Sequence, residues 1–190
     1  GSFGSPTFVS VDPGATLHID RSQGVAIAPL GTGLPESLVI EGSQSDGNDY
    51  AQRFEYQSGS LILAATTTLP TFISGDMLTA YSAGTFADVT DDGFDDLITT
   101  MPNVAVWTGD SSGNLSGPTV YDSGNEPEPV AVGDLAGNGR NDVAVYPTLS
   151  FGATSTIQLE YQNATGGFDA LSNYTATGEA RDAVIGDIDV

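Results

Sequence analysis

The sequence contains no cysteine, no lysine and only one histidine among its 190 residues. Without cysteine the chain has no disulfide framework, no thiolate nucleophile and no thiolate zinc site. The single histidine, His18, leaves little room for histidine-based catalysis. Long apolar runs are missing too: the most apolar stretch, residues 61–73, is short and is interrupted by Pro70, so no membrane-spanning helix is expected.

Positive charge is also scarce, because the only other basic side chains are four arginines that lie far apart in the sequence. Together with 25 acidic residues they give a formal net charge of −21. Nucleic acids and anionic membrane surfaces attract clusters of basic residues, so neither is expected as a partner. Charged residues make up 15% of the chain and hydrophobic ones 39%, a balance that favours a folded core over a disordered acidic tail.

Short apolar runs recur along the whole chain and are bounded by Gly, Pro, Asn, Asp and Ser. The 24 glycines and 10 prolines supply many turns, and no stretch has the periodicity of an amphipathic helix. The sequence therefore predicts an all-β chain. The predicted strands include residues 8–11, 24–28, 37–40, 53–56, 61–64, 86–89, 96–99, 104–108, 130–133, 142–146, 157–161 and 183–186.

One sequence unit is repeated several times. Its clearest copies are residues 86–100 (FADVTDDGFDDLITT) and residues 130–146 (VAVGDLAGNGRNDVAVY), and residues 183–190 (AVIGDIDV) begin another. A degenerate copy, residues 25–40, carries Gly33 and Glu36 where the clear copies have the loop glycine and the last loop aspartate. Each copy reads as a strand, a glycine-containing loop and a second strand, followed by two further strands. This order is typical of the four-stranded antiparallel blades of a β-propeller.

The predicted blades form a single repeat domain or a segment of a larger propeller. The expected parts are an outer strand at 1–11, blades at about 24–70, 84–122 and 129–175, and the start of a fourth blade at 182–190. Three blades do not close a ring, since propellers usually have four to eight. Two arrangements remain open: further blades in a longer parent chain, or assembly of copies in which residues 1–11 of one complete the last blade of the next.

The loop of the second repeat, residues 88–96, reads D-x-T-x-D-G-x-x-D and presents oxygen donors at regular positions. Donors at positions 1, 3, 5 and 9, together with the carbonyl at position 7, can converge on one ion, and Gly93 at position 6 permits the sharp turn. Calcium is favoured over magnesium because it accepts several oxygens at variable distances. The predicted ligands are Asp88, Thr90, Asp92, the Phe94 carbonyl and Asp96.

The third repeat predicts a second, weaker calcium site, because Ala136 at position 3 supplies no side-chain oxygen. Its expected ligands are Asp134, Asn138, the Arg140 carbonyl and Asp142. Near the end of the sequence, Asp187 and Asp189 begin a third such loop and predict a third ion. No metal is expected in the degenerate repeat, where Ala28 and Leu30 stand at positions 1 and 3. Neither clear loop fits an EF-hand, since position 12 lacks the required glutamate.

The repeat layout and the pattern of residues 88–96 and 134–142 resemble the FG-GAP or VCBS repeats of calcium-binding β-propellers, which occur in integrin α-subunit heads and in secreted microbial proteins. Residues 3–6 (FGSP) are similar to the FG-containing segment that precedes a blade. The resemblance implies structural calcium ions, an extracellular location and a role in adhesion, carbohydrate contact or scaffolding. It implies no catalysis, and the expected partners are protein or glycan surfaces or other copies of the chain.

Three other patterns have competing interpretations. Adjacent acids such as Asp91 and Asp92 do not suggest a glycosidase pair, because neighbouring side chains point in different directions. Residues 109–113 (GDSSG) superficially match the nucleophile motif of trypsin-like proteases but are expected to form a hairpin turn. An aromatic sugar platform is an alternative to packing between blades for four aromatic residues, and three N-x-S/T sequences permit glycosylation in a secreted protein. The aromatic residues are Trp107, Tyr121, Tyr146 and Tyr161, and the asparagines are Asn114, Asn163 and Asn173.

Overall fold

A computed structural model describes residues 10–11, 21–28, 37–43, 49–58, 60–69, 82–100, 103–121, 127–147, 154–177 and 183–186. These residues contain thirteen β-strands and no helix, so the prediction of an all-β chain is confirmed for the described part. The strands form three open sheets, each built mainly from antiparallel neighbours that follow one another in the sequence.

The first sheet contains five strands, and the other two contain four each. The first has the order β1-β5-β4-β3-β2, with β1 (Ser10–Val11), β2 (Arg21–Ala28), β3 (Ser37–Ser43), β4 (Asp49–Gln57) and β5 (Ser60–Leu69). The second has β6 (Ser82–Ala87), β7 (Asp96–Thr100), β8 (Val104–Gly109) and β9 (Leu115–Tyr121) in sequence order. The third has β10 (Pro127–Gly133), β11 (Asp142–Pro147), β12 (Thr154–Glu160) and β13 (Ser172–Thr177), also in sequence order.

The three sheets are stacked, with the second sheet in the middle. One apolar cluster joins the first and second sheets, and another joins the second and third. Successive side chains of a strand point to opposite faces, so Leu97 packs toward the first sheet while its neighbour Ile98 packs toward the third. All five residues of β7 are buried as a result. The clusters consist of Val39, Ala51, Leu69, Leu97 and Trp107, and of Val89, Ile98, Val104, Val106, Val143 and Val145.

A polar contact accompanies the packing of the first sheet on the second. Arg53 of β4 is buried and forms an ion pair with Glu55, with Nη1 2.7 Å from Oε1. Its Nη2 donates to the carbonyl of Ser112, in the turn between β8 and β9, at 3.4 Å. Since a buried charge requires a partner, the Glu55 carboxylate allows Arg53 to bridge the two sheets.

The outer strand is paired differently from the expected blade-completing arrangement. Ser10 and Val11 pair in parallel with Ser60 and Leu61, so these two residues extend the free edge of the first sheet of the same chain. The remainder of the predicted strand at residues 1–11 lies outside the described residues. Strand pairing at an open edge satisfies main-chain groups that would otherwise face solvent, which explains why β5 accepts another strand.

The register of the first sheet corrects the alignment of the degenerate repeat. Ala28 pairs with Ser37, just as Ala87 pairs with Asp96 and Gly133 with Asp142. The structural equivalent of the last loop aspartate is therefore the buried Ser37, and the prediction that placed Glu36 there is wrong by one residue. Glycine spacing alone was the basis of that alignment, whereas cross-strand pairing fixes which side chain points inward. Residues 29–36 lie outside the described residues.

The start of the predicted fourth blade forms no strand in its described part, residues 183–186. This segment nevertheless lies against the third sheet. A Cβ atom added to Gly133 at the end of β10 would be 2.8 Å from Cγ2 of Ile185, so the segment approaches the sheet as closely as a glycine permits. The expected strand is thus replaced by a packed, unpaired segment beside β10.

Candidate metal centre

The first acidic loop, residues 88–96, is anchored at both ends in antiparallel strands. It begins directly after β6 and ends on Asp96, the first residue of β7, which pairs with Ala87. Asp91 and Gly93 have positive φ angles of 60° and 90°, which turn the chain sharply within the loop. Nothing lies within 4 Å of a Cβ built on Gly93, so glycine is favoured here by the backbone conformation rather than by lack of space.

The side chains at positions 1 and 5 of this loop accept hydrogen bonds from its own main chain. Oδ1 of Asp88 accepts from the amide of Asp92 at 3.2 Å, and Oδ2 accepts from the amide of Gly93 at 2.8 Å. Oδ1 of Asp92 accepts from the amide of Phe94 at 2.9 Å. These bonds fix the loop in its turned form, and carboxylate oxygens with more than one lone pair keep acceptor capacity beyond one amide each.

The carboxylate at position 9 connects the loop to the third strand of its sheet. Asp96 is completely buried, and its Oδ2 accepts from the amide of Val89 while its Oδ1 accepts from the amide of Gly109, both at 2.9 Å. Burial raises the pKa of Asp96 above its ordinary value, the two amides oppose that rise, and the nearby charge of Asp92 adds to it. Asp96 therefore holds the beginning of the loop against the end of β8.

Two further observations concern negative charge and unpaired oxygen in the first acidic loop. Burial and the nearby charge of Asp88 raise the pKa of Asp95, at position 8. The Oγ1 atom of Thr90, at position 3, is buried and has no hydrogen-bond partner. Crowded carboxylates and an unpaired buried oxygen are both features that a bound cation would compensate.

The second acidic loop, residues 134–142, repeats the same hydrogen-bond pattern at positions 1 and 5. The two carboxylate oxygens of Asp134 accept from the amides of Asn138 and Gly139 at 2.9 and 2.7 Å, and these amides lower the pKa of Asp134. Oδ1 of Asn138 accepts from the amide of Arg140 at 2.9 Å. The loop conformation is thus conserved between the two repeats although Ala136 replaces the threonine at position 3.

The last aspartate of the second acidic loop is also buried and also reaches a neighbouring strand. Oδ2 of Asp142 accepts from the amides of Leu135 and Ala136, and Oδ1 accepts from the amide of Gln162, each at 2.9 Å. Gln162 follows β12, as Gly109 ends β8, so both aspartates hold the equivalent strand end. The side chain of Gln162 returns a contact, because its Oε1 accepts from the amide of Asn141 at 3.0 Å.

The fit of these loops to a calcium ion differs between them. Within the described ranges, no three acidic or histidine side chains are grouped closely enough to hold a metal ion. The side-chain donors of both loops instead face main-chain amides. The first acidic loop fits a hard cation better, since it offers three carboxylates and the unpaired Thr90 oxygen, whereas the second offers two carboxylates and one amide oxygen. Asp187 and Asp189 lie outside the described residues.

The two acidic loops lie next to each other at the same end of the stacked sheets. The side-chain amide of Asn141 donates to the carbonyl of Asp88 at 2.9 Å. Nε of Arg140 lies 3.6 Å from Oδ2 of Asp91. These contacts cross from the third sheet to the second and were not predicted, because adjacency of two loops distant in sequence is set by the stacking of the sheets.

The aromatic residues considered as a sugar platform are mostly engaged in packing. Trp107 is 2% exposed and Tyr146 is 9% exposed, so neither presents a face to a ligand. Tyr121 packs edge-to-face on Phe168 with ring centroids 4.8 Å apart. Tyr161 lies beside Tyr174, whose hydrogen bond raises the pKa of Tyr161. His18 lies outside the described residues.

The GDSSG segment forms the expected hairpin turn between β8 and β9. Oδ1 of Asp110 accepts from the amides of Ser112 and Asn114 at 2.8 and 3.0 Å, an arrangement typical of an Asx turn. Among the three N-x-S/T sequences, the Asn114 side chain donates to Asp110, and the Asn163 side chain accepts from Thr165 and Gly167. Asn173 lies exposed on the edge strand β13.

Comparison with known proteins adds no relative. No known family profile matches the sequence, and no curated protein matches it significantly. The described residues include no helix long and apolar enough to cross a membrane. The functional interpretation accordingly depends on the two acidic loops and on the stacking of the sheets.

Proposed function

We propose that this chain is an extracellular calcium-binding repeat module of the FG-GAP or VCBS type, with a structural, adhesive or self-assembling role. The observation that carries the proposal is the recurrence of one loop architecture in two repeats. In each, the residue at position 1 accepts from the amides at positions 5 and 6, position 5 accepts from position 7, and a buried aspartate at position 9 accepts from two strands.

The stacking of the sheets supports a propeller-type arrangement for the module. The first strand of the second sheet, β6, contacts the first strands of both other sheets, β2 and β10. Blades of a propeller likewise bring their first strands together around one axis and cover their faces against neighbouring blades. The covered middle sheet and the adjacent first strands are the two features that a radial stack of blades requires.

Calcium would be held by the residues that also shape the loops. In the first acidic loop these are Asp88, Thr90, Asp92, the Phe94 carbonyl and Asp96, and in the second they are Asp134, Asn138, the Arg140 carbonyl and Asp142. Asp187 and Asp189 would contribute to a third site of the same kind. The bound ion would neutralise part of the charge of −21 and supply a partner for the Thr90 oxygen. The proposal assigns no catalytic role to these carboxylates, because they accept hydrogen bonds from main-chain amides.

The proposal is tested by thermal unfolding of the chain after chelation and after addition of calcium or magnesium. A ligand that binds only the native state raises the melting temperature by mass action. We expect chelation to lower the melting temperature by several degrees, calcium to restore it, and magnesium to restore it less. Equal melting temperatures in chelator and in calcium would contradict the proposal and would favour two amide-capped turns that need no ion.

Carbohydrate binding is the alternative function, and the described residues give it less support. Trp107 and Tyr146 are buried between or beside strands, so two of the four aromatic candidates are removed from any sugar platform. Tyr174 is half exposed and stays available. A glycan array probed with the calcium-loaded chain would distinguish the two functions, since specific glycan binding that is lost in Tyr174→Ala would favour the alternative.

A further inference from the structure

The stacked sheets are joined twice by the same pair of faces. We call the face of a sheet that points toward the preceding sheet its leading face, and the opposite one its trailing face. The leading face of the second sheet carries Leu97 and Trp107, which pack on the trailing face of the first sheet at Val39. The trailing face of the second sheet carries Ile98, which packs on the leading face of the third sheet at Val143. Each junction therefore joins one trailing face to one leading face.

Two faces take no part in these junctions, namely the leading face of the first sheet and the trailing face of the third. On the first sheet, Ile27 pairs with Leu38, which pairs with Phe54, and these residues share the leading face with Tyr56 because side chains two apart along a strand lie on one side. Phe54 is buried, but Ile27 is 68% exposed and Tyr56 is 57% exposed. The leading face of the first sheet thus presents apolar surface to solvent at two of its strands.

The trailing face of the third sheet is exposed in the same way. Ile157 of β12 pairs with Tyr174 of β13, and they are 37% and 51% exposed. Leu159 lies two residues from Ile157 on the same face. Ile185 covers this face only near Gly133, at the other side of the sheet. Large apolar side chains exposed together on a sheet face are typical of an interaction surface.

We propose that a second copy of this chain docks between these faces, with the leading face of its first sheet on the trailing face of the third sheet of its neighbour. The two open faces are the two kinds of face that the chain already joins at both of its internal junctions, so the contact would continue the stack by one more sheet. Such a contact is heterologous, since each copy uses two different surfaces. The inference rests on the proposed function, because it extends the repeat arrangement proposed there.

This contact differs from completion of a blade by strand exchange. The described part of the outer strand, Ser10–Val11, is paired with β5 of its own chain and is not needed by a neighbour. The association proposed here buries side chains of two sheet faces and leaves the strand pairing of each chain unchanged. The oligomer is a closed ring if the rotation between copies closes and a filament if it does not.

The test is the mass of the chain measured by sedimentation over a range of concentrations. We expect the wild-type chain to associate as concentration rises. Ile27→Asp and Tyr174→Asp should each weaken association at least about tenfold, because each places a charge in the apolar contact. The control is Val120→Asp: Val120 is 45% exposed on β9 of the middle sheet, away from both open faces, and its replacement should leave association unchanged. Unchanged melting curves for the three variants show that they remain folded.

Mixing the two interfering variants tests whether the contact joins unlike faces. The Ile27→Asp chain keeps an intact trailing face and the Tyr174→Asp chain keeps an intact leading face, so together they should form a one-to-one dimer that grows no further. Failure of the mixture to form this dimer, or a wild-type chain that stays monomeric up to about 1 mM, would overturn the inference. A monomeric chain whose melting temperature still responds to calcium would refute the docking while leaving the proposed calcium function intact.

Discussion

The side-chain amide of Asn141 donates to the main-chain carbonyl of Asp88 at 2.9 Å, and this bond joins the two acidic loops. Asn141 is at position 8 of its loop, beside the buried Asp142, while Asp88 opens the loop of the preceding sheet. Together with the contact between Arg140 and Asp91, the bond makes the loops of neighbouring sheets brace each other. A change in one loop is therefore transmitted directly to the backbone of the other.

The first prediction separates a ligand position from its neighbour in the first acidic loop. Asp92→Ala should weaken calcium binding at least about tenfold, because affinity in such loops depends on the number of charged ligands. Asp91→Asn, which also removes one negative charge, should weaken it much less, since position 4 is not a ligand. Asparagine is chosen for the control because Asp91 has a φ of 60°, which asparagine tolerates. Isothermal titration with calcium measures both, and equal losses would contradict the assigned ligand positions.

A second prediction concerns the buried aspartate of the second acidic loop. Asp142→Ala removes the acceptor of three main-chain amides and should lower the free energy of unfolding by about 3 kcal/mol. Asp134→Ala, in the same loop but exposed to solvent, should lower it by much less. Urea denaturation in chelator measures the effect without any contribution from bound metal. Similar losses for the two variants would show that burial of Asp142 adds nothing to its structural role.

The third prediction tests the close approach of the second and third sheets at Gly166. A Cβ atom at this residue would lie 2.5 Å from the carbonyl oxygen of Thr90, and φ is +78°. Gly166→Ala should therefore cost more stability than Gly137→Ala, where φ is +67° but nothing lies within 4 Å. The control should lose about 1 kcal/mol from backbone strain alone, and Gly166→Ala about 1 to 3 kcal/mol more from the steric conflict. Equal losses in urea denaturation would argue against this contact between the sheets.

The fourth prediction is a pH dependence centred on the β8–β9 turn. The amide of Asn114 is the main cause that lowers the pKa of Asp110 below 3.8, so the ionised form stabilises the folded state. The wild-type chain should be more stable than Asp110→Asn above that ordinary value, and the difference should disappear as pH falls through the lowered folded pKa. Because the turn is exposed and solvent screens its charge, the difference should be below about 1 kcal/mol.

Thermal unfolding of both chains in chelator, at about pH 6 and at about pH 2, provides the measurement for this turn. Asparagine keeps one side-chain acceptor for the amides but carries no charge, so it isolates the effect of ionisation. A stability difference that persists unchanged at the lower pH would assign the effect to the loss of an acceptor instead of to the carboxylate charge.

Several features of the fold follow from local sequence. Runs such as DVAVY at residues 142–146 alternate or continue apolar side chains between turn-forming residues, and this is sufficient to predict strands and an all-β chain. The buried middle sheet leaves a recognisable trace as well: LIT at residues 97–99 has no polar partner face, as expected for a strand covered on both sides. The boundaries are less regular, because edge strands such as β13 extend or stop according to their pairing.

Other features depend on contacts that local sequence does not encode. The register of the first sheet places Ser37 inside, and glycine spacing could not distinguish it from Glu36. The amide of Asn141 and the surface at Gly166 gain their partners only when the third sheet stacks on the second. The acidic pattern predicts which oxygens are candidates, but the main-chain amides that these oxygens contact are specified by the three-dimensional turn.

Burial of every residue of β7 also has a consequence for the order in which the chain opens. Its amides are bonded to β6 and β8 within the sheet, and both faces of the sheet are covered by other sheets. Local fraying can expose β1 or β13 at the edges, but β7 reaches solvent only when the whole stack separates. Deuterium uptake at Leu97, Ile98 and Thr99 therefore reports the free energy of global unfolding, and these amides form the slowest-exchanging segment among the described strands.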